Sequence, residues 1–347
     1  MKRLYVMCLG ALASAVLLVS LLPASTAAQN PAARTSTAPT SSSTPSRTPW
    51  GDPDFQGVWR YEATMPLERP VALGGRALLT DDEVAKRDAA EKDQEAKRLA
   101  GEEGSAVGRQ SLAESPIRGN EYNSFWQDHG RPRKVYNRTS LIVDPPDGRL
   151  PYTPDAQKAE ARASARYGVG PYESYLDPDT GERCLTDGVT ALMWQGPNGG
   201  HNRIVQSPGY VTILHEEYRD RRIIPVDGRP HGSIRQWFGD AVARWDGNTL
   251  VVDTINFLDR TNYEWANVWT RPSETLHLTE RFTRADADTI EYEITVEDPT
   301  TFTKPWKAVI PIARLPEKTQ IYEYACHEGN YAMANLLSGG RAARSGR

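Results

Sequence analysis

The sequence predicts a mainly β protein: an antiparallel meander that closes into a barrel or packs as a two-sheet sandwich, with two peripheral helices. Three observations carry this reading. From His201 onward apolar and polar residues alternate with period two, the mark of half-buried strands. The alternating runs are short and are separated by Ser207-Pro208-Gly209, Asp246-Gly247-Asn248 and Ala285-Asp286-Ala287-Asp288, turn formers that punctuate hairpins. Helical patterns are confined to the region before residue 200. A meander of about nine short strands curls rather than staying flat. No fixed-period repeat, heptad series or alternation of strands with helices competes with it.

The elements follow in order. Residues 1–28 read as a secretory signal peptide: Lys2 and Arg3, an apolar run over 4–22, then Pro23 and small residues ending at Ala28. A retained anchor is the competing reading, and both the shortness of the run and the helix breaker Pro23 speak against it. Residues 29–49 are almost all Ala, Ser, Thr, Pro and Arg, a composition that buries too little apolar surface to order itself, and read as a linker. The region 50–200 is expected to be irregular, with order beginning in the aromatic stretch 50–59 and two helices packing on the barrel. The first, 80–100, opens with the capping box Thr80-x-x-Glu83 and has mostly alanine at its apolar positions, which makes it a peripheral arm. The second, 153–166, has Thr153 as N-cap, Pro154 at its first position and Gly168 as a stop. A short strand over 139–143 ends in the turn 144–148. The barrel domain spans 201–337, with strands expected at 203–206, 210–218, 222–226, 241–245, 249–257, 276–284, 289–297, 306–312 and 320–326. Residues 338–347 read as a flexible tail.

Charge and motifs narrow the function. The net charge is −4, and −6 once Lys2 and Arg3 leave with the signal, so nucleic-acid binding has no electrostatic support. No segment after the signal is apolar enough to span a bilayer. Cys8 also leaves with the signal; Cys184 and Cys326 remain and are expected to form one disulfide in an exported protein. The alternative makes Cys326 a reactive thiol beside His327. No metal is expected, since H-x-x-x-H, H-E-x-x-H and C-x-x-C are absent, although histidines could converge in space. G-x-S-x-G, S-x-x-K and Gly-rich phosphate loops are missing too, and no cofactor is expected. Nothing in the residues specifies an oligomeric state.

Alternation then nominates a site. Glu280 shares a face with Leu276, Leu278 and Phe282, and Asp253 shares one with Val251, Ile255 and Phe257. A carboxylate on an apolar face is either ion-paired inside or open to a polar pocket. In His215-Glu216-Glu217-Tyr218 one carboxylate must face the sheet interior, and Arg222 follows after a short turn as a cationic partner. His231 stands in the Gly/Pro-rich loop before Trp237 and Asp240, where proton-transfer groups are displayed on rigid scaffolds. His201 follows a similar loop. Trp237, Trp245, Tyr263, Trp265 and Trp269 crowd one region, as the wall of an aromatic cleft would require.

The phrases RTSLIVDPPDGRLPYTP (138–154), ERCLTDG (182–188), WFGDAVARWDGNTLVVDTINF (237–257) and YEYACHEGNYAMANLL (322–337) resemble a large family of exported bacterial proteins. That resemblance implies secretion to the periplasm or beyond and a shared architecture, and no mechanism. The W-DG-TLVV hairpin is similar to pieces of lipocalin-type barrels, which agrees with the meander. The function expected is an acid/base enzyme, a lyase, isomerase or hydrolase, acting on a small apolar or sugar-derived molecule in the barrel mouth. Glu216, Arg222, His231, Asp240 and Glu280 would be its catalytic residues, and His201, Trp237, Trp265 and Trp269 its ligand wall. The alternative is a periplasmic protein that binds a small ligand without turnover.

Overall fold

The fold is known from a computed structural model that describes residues 46–61, 65–99, 136–166, 170–178, 180–186, 188, 200–260 and 273–346. It is mainly β. Ten strands form one antiparallel sheet that is nearly closed into a barrel: β1 (Gly57–Tyr61), β2 (Ile142–Asp144), β3 (Asn202–Ser207), β4 (Tyr210–His215), β5 (Arg221–Pro225), β6 (Asp240–Asp246), β7 (Thr249–Ile255), β8 (His277–Arg284), β9 (Thr289–Glu297) and β10 (Trp306–Arg314).

Two local meanders, β3-β4-β5 and β6-β7-β8-β9-β10, supply most of the ring. Their hairpins are tight for the reasons the sequence states. The β6–β7 loop is Gly247-Asn248, and Gly247 takes a φ of +61°, which an L side chain resists. The meanders are spliced by β1, which pairs with β3 through Trp59↔Asn202 and with β10 through Trp59↔Arg314. Farther along the same edge of β10, β2 pairs at Lys307 and Ala308. The inward faces alternate as period two demands. Trp59, Trp306, Phe282, Tyr292 and Ile310 are essentially inaccessible and fill the interior with side chains.

Among the described residues three α-helices lie outside the ring. The first, α1 (Asp81–Leu99), begins with the expected capping box: the Thr80 backbone N–H donates to Glu83 Oε2 at 2.8 Å, and the Glu83 N–H to Thr80 Oγ1 at 3.3 Å. In α2 (Pro154–Arg166) Thr153 Oγ1 caps the Ala156 N–H at 3.2 Å. The third, α3 (Ala332–Arg344), takes in most of the stretch expected as a tail.

Three strand expectations differ from the structure. The strand expected at 210–218 ends at His215, and Glu217–Arg219 turn as a 3-10 helix with Tyr218 at a φ of +52°, so Glu216 and Glu217 do not alternate as strand residues and both are buried. Residues 57–61 form a strand that the turn-rich reading of that stretch left out. Residues 320–326 form none. The place beside β10 and β3 is already filled by β1, and the Tyr322 N–H is bonded to the Glu216 carboxylate at 2.9 Å instead of to a strand carbonyl. Order also reaches back into residues 46–49, where the Thr48 N–H bonds the Asp52 carbonyl at 2.9 Å. The signal-peptide segment and the rest of the linker lie outside the described residues.

Candidate functional site

The two outermost strands, β5 and β6, come alongside each other without a hydrogen-bonded ladder. A cleft of about 900 Å³ runs over that seam, lined by Arg221, Arg222 and Ile223 from β5, Asp240 and Val242 from β6, and Trp237 and Phe238 from the loop before β6. Large side chains occupy the interior, and this cleft lies at the side of the sheet, whereas the sequence reading places the ligand in the barrel mouth. That loop is held firmly to the end of β7. The Gln236 N–H donates to the Asn256 carbonyl at 2.9 Å, and the Asn256 amide to the Gly232 carbonyl at 2.9 Å. Gly239, next to Asp240, has a φ of +67°, and a Cβ there would stand 2.6 Å from the Ile255 carbonyl oxygen. Only glycine lets the chain turn so close to β7, and that turn aims Asp240 at the cleft.

Asp240 heads a chain of four ionisable groups. Asp240 Oδ2 accepts the Gly232 N–H at 2.6 Å and lies 3.2 Å from His231 Nδ1. His231 Nε2 is 2.7 Å from Asp253 Oδ1, and His277 Nε2 is 2.7 Å from Asp253 Oδ2. A hydrogen bond from His277, and then one from His231, hold the Asp253 carboxyl below its ordinary range against the opposing effect of burial. As a carboxylate it only accepts, so both imidazoles present N–H at Nε2. His231 Nδ1 and Asp240 Oδ2 then face each other as two acceptors unless one proton lies between them. Asp240 lines the cleft, and His231 stands behind it, outside the lining.

Glu280 and Arg222 form a second unit. Glu280 is completely buried, as its alternation required, and receives Arg222 Nη1 and Nη2 at 2.8 and 2.5 Å and the Tyr292 hydroxyl at 2.8 Å. Arg222 also reaches Thr254 Oγ1 at 3.2 Å. Burial works to lower the guanidinium's proton affinity, but the Glu280 charge and hydrogen bonds outweigh it. This guanidinium laces β5 to β7 and β8 from inside, where the seam has no ladder of its own. Two expectations change accordingly. Arg222 lies on the cleft wall with its Nη groups engaged by Glu280 and Thr254, and Glu280 lies behind that wall.

Glu216 and His201 pair with each other, His201 Nδ1 lying 2.8 Å from Glu216 Oε2, and neither lines the cleft. Burial acts to raise Glu216, but the bonds from His201 and the Tyr322 N–H prevail and hold it low. Asp253 needs a further correction. The inward residues of β7 are Leu250, Val252 and Thr254, and Asp253 lies on the outer face with its side chain one-third exposed. Of the remaining nominations, Trp237 lies on the cleft wall, whereas Trp265, Trp269 and Tyr263 fall outside the described residues. Sequence reading missed His277. The strand register contains the signal, since Asp253 opposes Thr279 and His277 is its diagonal neighbour on the same face.

The bridge is present: Cys184 and Cys326 are bonded, with Cα atoms 5.6 Å apart. No cluster of three or more His, Cys, Asp or Glu among the described residues could hold a metal ion. No described helix is long and apolar enough to cross a membrane.

The His277–Asp253 pair makes stability depend on pH. Its bond to Asp253 holds His277 above the ordinary 6.5 despite burial, so its contribution is full below about pH 6.5 and is lost as pH rises through the folded value. Asp253, held below the ordinary 3.8, contributes above about pH 4 and loses that contribution as pH falls through its folded value. His277→Gln is expected to destabilise by about 0.5–1 kcal/mol between these limits, the pair being partly exposed. Thermal melts should show the difference from the wild type shrinking as pH rises above about 6.5.

Taken together, the fold and the seam define a β-barrel protein with a small-molecule-sized cleft at its side. No family model, no curated protein and no solved structure matches this chain.

Proposed function

We propose that the protein is an acid/base enzyme that works outside the cytoplasm on a small molecule with an apolar face, bound in the seam cleft. One observation carries the reading: Asp240 on the cleft wall lies 3.2 Å from His231 Nδ1, with Asp253 and His277 continuing the chain behind it. Such a pair can give a proton to a bound molecule and take one back, which is the work of a general acid and base. Asp253 fixes the His231 ring and balances the charge it gains. His277, 36% exposed, links the chain to solvent and lets protons exchange. Trp237 and Phe238 supply the apolar wall. An extracytoplasmic address is supported by the Cys184–Cys326 bridge, which suits a compartment that permits disulfides. The resemblance to exported proteins points the same way.

Binding without turnover is the second reading. It is favoured by the Arg222–Glu280 pair, because two of the five nominated catalytic groups are consumed by each other.

A panel of carbon acids, sugars and esters incubated with the protein in heavy water, followed by NMR, tests the first reading. The wild type is expected to exchange or transform a member of the panel, and Asp240→Asn to slow it by about 10²- to 10⁴-fold. A wild type that transforms nothing, or an Asp240→Asn variant as fast as the wild type, overturns it.

A further inference from the structure

The charges around the cleft are uneven. Four arginines are among its lining residues, Arg221, Arg222, Arg229 and Arg235, against one acidic residue, Asp240. Three of the four are already matched. Arg222 is paired with Glu280, Arg229 with Asp227 at 2.5 Å, and Arg235 with Glu274 at 3.3 Å. Asp240 lies 3.2 Å from His231 Nδ1. Arg221 has no acidic partner among the described residues and is exposed. Two positions along β5, Ile223 is 63% exposed on the same cleft, an unusual amount of bare hydrocarbon for a strand residue beside a cavity. A cleft that leaves one positive charge and one apolar wall uncovered is complementary to a molecule carrying one negative charge on an apolar body. In a chain whose net charge is −4, this local excess also draws an anion to the cleft and away from the rest of the surface.

We infer that the ligand of the seam cleft is an aromatic or similarly flat apolar monocarboxylate, and that Arg221 is the residue that receives its carboxylate. The inference rests on the seam cleft being the ligand site and deepens that reading by naming the substrate class. One uncompensated guanidinium matches a single charge, and its planar fork matches the two oxygens of a carboxylate. A phosphate dianion would demand a second cation that the described lining does not offer. With the carboxylate on Arg221, the apolar body extends over Ile223 toward Trp237 and Phe238.

Three probes test this: trans-cinnamate, its neutral isostere cinnamamide, and phenyl phosphate, each titrated calorimetrically into the full-length mature protein. The wild type is expected to bind cinnamate at least about tenfold more tightly than the other two. Raising the salt from about 50 to about 500 mM should shrink that preference, because the guanidinium is exposed. Arg221→Gln should lose about tenfold for cinnamate, leave cinnamamide unchanged and keep the wild-type melting temperature. Asp240→Asn should still bind cinnamate, which separates the anion site from the acid/base chemistry. Equal affinity for cinnamate and cinnamamide, tighter binding of phenyl phosphate, no binding of any probe, or an Arg221→Gln variant that binds cinnamate as the wild type does would each overturn the inference. None of these outcomes bears on proton exchange in the heavy-water panel, so the two readings fail separately.

Discussion

Glu280→Ala is expected to cost about 3–5 kcal/mol, a large share of the roughly 5–15 kcal/mol that holds a typical domain folded. The change removes the only carboxylate among the described residues that meets Arg222 and leaves that guanidinium buried and uncompensated, with the Tyr292 hydroxyl also losing its acceptor. Glu280→Gln should be nearly as damaging, because the amide keeps the shape and drops the charge. Replacing both partners by apolar residues, Arg222→Met with Glu280→Leu, should recover much of the loss, since the desolvation cost of two buried charges disappears with them. Urea unfolding of the three variants checks this. A Glu280→Ala midpoint close to the wild type would mean that the lacing across the seam contributes little.

Removing the bridge is expected to cost a comparable amount. Cys184 and Cys326 are separated by 142 residues, and closing a loop of that size stabilises by about 5 kcal/mol in the chain-entropy account. Cys326→Ser should lower the unfolding midpoint accordingly, and a reductant should do the same to the wild type while leaving the variant unchanged. The bridge also bears on the cleft. Leu185 and Thr186 follow Cys184 and line it, and the Thr186 hydroxyl donates to Asp220 at 2.5 Å, one residue before Arg221. Probe affinity in the cleft should therefore weaken when the bridge is opened under conditions that keep the barrel folded.

Legibility in the sequence followed how unambiguous each local pattern was. Glu280 could be placed because Leu278, Glu280 and Phe282 alternate with polar neighbours, so only one phase puts apolar residues inside. Asp253 was assigned to the wrong face because Leu250 and Val252 are apolar in one phase and Val251 and Ile255 in the other. The strand then offers no contrast from which to choose. The capping box of α1 and the N-cap of α2 were readable, being local chemistry within four residues. Residues 57–61 were not, since five residues behind a run of turn formers carry too little period to register. The alternation in 320–326 was real, but no vacant place in the ring received it. The site was legible as residue types and not as a constellation. His231, Asp240 and Trp237 were nominated from one loop, whereas His277 and Arg221 acquire their meaning from strand register and from what their neighbours already bind.

The splice at β1 sets an order of assembly. Trp59 pairs with Arg314 near the far end of the chain, and β1–β3 and β2–β10 are also long-range, while the other six pairings of the described strands join neighbours in sequence. Once residues through about 225 have emerged, β1 can sit on the first meander, and the second meander can later build on its own short-range contacts. The two halves join only when β10 is made, and the Arg222–Glu280 contact, which also spans them, must wait as well. Contacts of such long range are reached slowly. A nascent chain stopped before residue 306 would hold a short first sheet with an uncovered edge, the state in which strands from different molecules find each other.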